Sequence, residues 1–258
     1  MMIQINELGE FDLSQAPLAS EWKGPRAHIG PAETVTPLVR ILGNKSKLSV
    51  ITMMAGVSFW AARRLEHFTD VSHLDELIEA SFAWHFNFRY LDPDAEPDNY
   101  PPANPPELSA LMQIDTLFRS QMENMLDWTN PNAPIFPAFH LTMLVQHILP
   151  DHGRALFQTW LEKYLARIEQ TSLVQHKTDK EIDAIPRGPE MRDYCAMIRG
   201  KPLPPSFLDL SLELDGRDLE AEAFANLKGL DHTKNRFLRS PSDMLAMGFK
   251  GDPYGVPS

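Results

Sequence analysis

His140 and His147 stand seven residues apart, two turns along one face of a helix, and His152 follows after a break at Pro150. Three imidazoles near one helix end are a donor set for zinc or iron. The carboxylates that usually complete such a site are missing: the chain contains neither Glu-x-x-His nor His-Glu-x-x-His. Asp92, Asp94, Glu96 and Asp98 alternate like the start of a calcium loop. Pro97 stands where that loop needs glycine, and Ala103 where it needs a bidentate glutamate. Gly43-Asn44-Lys45-Ser46 lacks the upstream glycine of a phosphate loop, and neither Gly-x-Gly-x-x-Gly nor Gly-x-Ser-x-Gly is present. Cys195, the single cysteine, lies in an ordinary amphipathic pattern that suits a small buried hydrophobe. His85 beside Arg89, set among aromatic residues, is a polar pair suited to lining an apolar cleft. No catalytic residue, metal or cofactor is assigned.

Charge gives a stronger signal than any of these motifs. Thirteen of the 35 acidic residues lie between Glu66 and Asp127, with only Arg89 and Arg119 to oppose them, so this segment alone carries the chain's formal net charge of −11. The aromatic run Phe82 to Tyr90 lies inside it. A negative field around aromatic anchors is suited to steering and holding a basic protein surface. The partner-binding candidates are Glu76, Glu79, Asp92, Asp94, Glu96, Asp98 and Tyr100. Solvated faces that only keep the protein dispersed would give the same composition. A pI near 5.2 and the absence of a basic run exclude a general nucleic-acid binder.

The elements that must position these residues are helical. Ser46 caps a helix to about Phe68, apolar on all sides in its first half and therefore central. Its apolar stretch, Leu48 to Ala62, is shorter than the roughly 20 residues needed to cross a bilayer and is ended by Arg63-Arg64. Ser72-His73-Leu74-Asp75 resembles a capping box for the next helix, which is expected to continue to about Tyr90, although Phe82 to Tyr90 also alternates with a strand's period. Asp92 to Pro106 is a stiff, proline-rich loop without glycine. Further helices are expected over Glu107 to Trp128, Pro137 to Leu149, and from a cap at Asp151 to Thr171. Ala32 to Leu42 is a weak helix interrupted at Pro37, and short helices are expected near 180–184 and 190–198. Leu208, Leu210, Leu212 and Leu214 alternate as a strand would, or form a short helix, and no strand of similar strength exists to pair with them. Ser240 to Asp243 starts a last helical turn that Gly248 stops.

The expected fold is all-α, a multi-helix bundle with irregular, proline-rich N- and C-terminal segments and little or no sheet. Residues 1–31 are expected to be an extended arm, 32–200 the helical domain, and 201–258 a linker, short elements and tail packed on it. One cysteine and no leader-like N-terminus suit a soluble, cytoplasmic protein without a membrane segment. The expected function is non-enzymatic binding of a protein partner with a basic surface, as in an immunity-type inhibitor neutralising a basic toxin or enzyme. The alternatives are a helical-bundle enzyme or a small-ligand or metal-binding protein using His140 and His147 or the aromatic cleft, and a structural subunit of a larger assembly. Oligomeric state is not legible.

Overall fold

Ser46 starts the central element. Its hydroxyl accepts from the Ser49 amide at 3.4 Å, and the Ser49 hydroxyl donates to the Ser46 carbonyl at 2.7 Å, so the first turn is closed by its own side chains. The helix that follows, α2 (Lys47–Leu65), comes after a short α1 (Pro37–Leu42). Eighteen of the nineteen residues in α2 are buried, all but Arg63, so every face must find a neighbour. The neighbours are α3 (Ser72–Trp84), α4 (Pro106–Asn124) and α5 (Ile135–Ile148) along its length. It also touches α6 (Asp151–Thr171), α8 (Pro189–Arg199) and a 3-10 turn at Pro205–Leu208. The remaining helices are α7 (Asp179–Asp183), α9 (Leu219–Lys228) and α10 (Pro241–Ala246). The computed structural model describes residues 3, 5, 8, 12–14, 17–18, 36–92, 94–95, 106–124 and 134–255. Among them the protein is all-α, with two isolated β-bridges, Lys45 to Leu173 and Leu91 to Leu238, and no strand. No described helix is long and apolar enough to cross a membrane.

An aromatic seam joins α2 to α6. Trp60 meets Phe157 edge-on at 5.5 Å, Trp160 stacks on Tyr164 at 5.6 Å, and Tyr164 meets Phe207 edge-on at 5.8 Å. Two of these rings find backbone acceptors for their polar tips: Tyr164 Oη donates to the Ser49 carbonyl at 2.8 Å and Trp160 Nε1 to the Leu208 carbonyl at 3.3 Å. Gly56 lets the two helices approach this closely, because a Cβ there would lie 2.6 Å from the Trp160 ring and 2.9 Å from Leu208. Phe207, Leu227, Phe237 and Met244 belong to the same apolar cluster, so the chain beyond residue 200 shares the core of α2.

Several local expectations are corrected by tertiary contacts. α3 ends at Trp84, not near Tyr90, and 82–90 is not a strand either. Arg199 of α8 donates to the carbonyls of His85 and Phe86, and Asn87 Oδ1 accepts from the Arg89 amide at 3.0 Å, which turns the chain into a 3-10 turn at Phe88–Tyr90. The Ser72 capping box does not form, because Asp75 is drawn to Arg63 and Asp70 accepts from the Ser72 amide instead. Asp151 is the first residue of α6, with Pro150 in the capping position. α2 stops at Leu65, short of Phe68. Pro37 begins α1 instead of interrupting a helix, and the Thr36 hydroxyl caps it by accepting from the Val39 amide at 3.3 Å. Leu208 to Leu214 forms no strand: Arg167 of α6 takes the carbonyls of Phe207, Asp209 and Leu212 that a ladder would need. The expected cap at Ser240 is present, and Gly248 follows α10 with φ 79°.

Candidate partner-binding site

α3 buries Leu74, Leu77, Ile78 and Phe82 and turns Asp75, Glu76 and Glu79 outward, since these three fall within one turn of each other. Between this edge and α2 lies a cleft of about 250 Å³. Ile3, Phe59, Ile78, Phe82 and Pro205 form its apolar lining, and Arg63, Asp75, Glu76 and Glu79 its polar rim. Arg63 lies over the Phe59 ring at 4.9 Å and pairs with both Asp75, at 2.5 Å, and Glu66, at 2.7 Å.

The rim carboxylates Glu76 and Glu79 are themselves held by a segment distant in sequence. Glu76 takes the Arg236 amide and guanidinium, at 2.9 Å through Nε and 3.1 Å through Nη2. Glu79 accepts from Asn235 Nδ2 at 3.0 Å and, among the described residues, meets no cation at ion-pair distance. Asn235 and Phe237 are buried, so this segment is held in place by packing on either side of Arg236. Asp92 pairs with Arg239 at 3.3 Å, and its amide donates to the Phe237 carbonyl at 2.7 Å. Asp94 is exposed. Glu96, Asp98 and Tyr100 lie outside the described residues.

The field inferred from composition is therefore partly cancelled within the molecule. Arg63, Arg236 and Arg239, all from outside the Glu66 to Asp127 segment, bind four of its carboxylates. Sequence reasoning missed these three arginines. Arg63 has one local signal, its i,i+3 spacing from Glu66; for Arg236 and Arg239 the signal is only that basic and acidic residues balance over the rest of the chain, which says nothing about which of them reach this segment.

The other candidate chemistry is dispersed. His85 is fully buried, and neither ring nitrogen has a hydrogen bond of good geometry. Burial, aided by the neighbouring Arg199 charge and opposed weakly by the Leu203 backbone, pushes its pKa down to about 3, so it is neutral at physiological pH. Arg89 turns elsewhere, donating to the Met247 carbonyl at 3.0 Å and stacking on Phe88 at 4.6 Å. The expected His85–Arg89 pair is replaced by His85 beside Arg199. Of the aromatic run, Phe82, Trp84 and Tyr90 are core, while Phe88 is exposed. His140 is buried on α5, and burial lowers its pKa. Among the described residues no group of three or more His, Cys, Asp or Glu side chains is placed to hold a metal. Cys195 is half-buried on α8, more open than its helical pattern suggests.

No protein-family model, curated protein or solved structure matches this chain.

Proposed function

We propose that this chain is a non-enzymatic binding protein whose acidic α3 edge engages a basic surface on a protein partner. The observation that carries the reading is the cleft beside α3. Its lining is aromatic and aliphatic, its rim is mostly carboxylate, and Glu79 on that rim has no cationic counterpart among the described residues. An apolar pocket ringed by charge is the anatomy of an interface hot spot, where an anchoring side chain loses water and a charged rim selects it. Exposed Asp94 adds a further carboxylate to those available to a basic partner. An inhibitor or immunity-type role, in which the acidic edge covers a basic active site, is one form of this reading.

Affinity for a partner isolated from the native host, measured across salt concentration, tests it. The expected result is binding that weakens steeply between low and physiological salt, because exposed charge pairs are screened over about 8–10 Å. Binding indifferent to salt, and unchanged when Asp94 and Glu79 are replaced together by Asn and Gln, would refute the acidic-edge reading.

A further inference from the structure

We infer that the cleft between α2 and α3 receives one arginine side chain presented by the partner protein, with its guanidinium at Glu79 and its aliphatic stem along Ile78 and the Phe82 ring. This inference rests on the protein-binding reading and adds to it the identity of the anchor.

Three observations converge. The first is the shape and chemistry of the cleft: about 250 Å³ of space, apolar at its base and carboxylate-rich at its mouth, suits a side chain that is apolar along its length and charged at its tip. The second is charge. Of the three carboxylates that line the mouth, Asp75 is met by Arg63, which also pairs with Glu66 outside the cleft, and Glu76 by Arg236, while Glu79 is met only by the neutral Asn235 amide, which leaves the mouth with an excess of negative charge. The third is that the rim already shows the mode of binding twice. Arg63 stacks on Phe59 while both of its Nη atoms meet carboxylates, and Arg236 meets Glu76 through two of its nitrogens. A planar guanidinium can stack on a ring and bond a carboxylate in a fork at the same time, which an ammonium group cannot do as well. The carboxylate of Glu79 is held by Asn235, whose buried backbone fixes the acceptor before any ligand arrives. Less ordering is then required on binding.

Nuclear magnetic resonance of the full chain with labelled isoleucine methyl groups gives a direct test. The probes are N-acetyl-arginine methylamide and its neutral citrulline counterpart, titrated at constant ionic strength. The expected result is a saturable shift of the Ile78 and Ile3 methyl signals with the arginine probe, with a dissociation constant on the order of 1–10 mM, as befits one side chain. Glu79→Gln should weaken it about tenfold, the loss typical of one charge-assisted hydrogen bond, and should leave the remaining methyl signals in place. An unmoved Ile78 signal, or an equal response to citrulline, overturns the inference. Its failure is separable from failure of the broader reading. A partner whose binding is steep in salt but indifferent to Glu79→Gln leaves the acidic edge standing and removes the arginine anchor. A probe that binds beside a partner indifferent to salt overturns the protein source of the arginine.

Discussion

The seam between α2 and α6 and the outer edge of α3 are built from opposite materials. Along the seam, Trp60, Phe157, Trp160 and Tyr164 are wholly buried, and each helix supplies a surface the other requires. Along the α3 edge, carboxylates face outward and are met by arginines from distant parts of the chain. The seam is where stability is concentrated, and the edge is where a substitution can change recognition without unfolding the protein. Local charge in a sequence is thus a poor guide to field in space, because long-range pairing decides how much of it remains.

The sharpest way to break this contrast is to remove one of the seam's two indole rings. Trp160→Ala is expected to cost about 3–5 kcal/mol, the loss typical of a buried aromatic, read as the shift of a urea midpoint. A loss under 1 kcal/mol would mean that the seam is not where the fold is held.

His85 lies on the inner side of the same edge, and its effect appears with acid. Its ordinary pKa of 6.5 falls to about 3 in the folded protein, from burial first and the Arg199 charge second. The unfolded chain therefore takes up a proton that the folded chain refuses. The resulting stability is complete above about pH 6.5 and is lost as pH falls toward 3, by up to about 4 kcal/mol. Burial shifts His73, His140 and His176 in the same direction. His85→Leu should flatten the stability profile between pH 7 and pH 5 without lowering stability at pH 7, since no hydrogen bond of good geometry is lost. An unaltered slope in that variant would contradict the assignment.

Gly56→Ala probes the seam more gently. The added methyl would press on the Trp160 ring and Leu208, and a destabilisation of about 1–3 kcal/mol is expected from overpacking. Stabilisation, as a helix-propensity gain alone would give, would show that the two helices can move apart freely. On the α3 edge the effects shrink. Arg236→Ala removes a partly exposed pair with Glu76 and should lower stability by about 0.5–1 kcal/mol at low salt and less at high salt. A loss several times larger, unaffected by salt, would move this pair from the surface into the core of the account.

Much of the architecture was legible because it is written in periodicity. The apolar sweep of α2, the Ser46 and Ser240 caps and the extent of α6 to Thr171 all follow from spacing and residue type. What was not legible depends on single side chains that arrive from elsewhere. Arg199 ends α3, Arg167 occupies the carbonyls that would have made Leu208 to Leu214 a strand, and Arg236 neutralises Glu76. Each is one residue acting across more than thirty positions, and no local pattern announces it. The candidate site was half legible for the same reason. Glu76 and Glu79 are visible as acidic helix residues, while the cleft beside them depends on Phe59 from α2 and Pro205 from the C-terminal part of the chain.

The most direct test of the acidic edge as a binding surface pairs two readings on one variant, Glu79→Gln: affinity for the isolated partner and the thermal unfolding midpoint. Affinity is expected to fall about tenfold and stability to stay within about 0.5 kcal/mol of the wild type, because an amide oxygen still accepts from Asn235. Unchanged affinity together with a large loss of stability would contradict that role of the edge, and would make Glu79 a structural tie between α3 and the C-terminal segment.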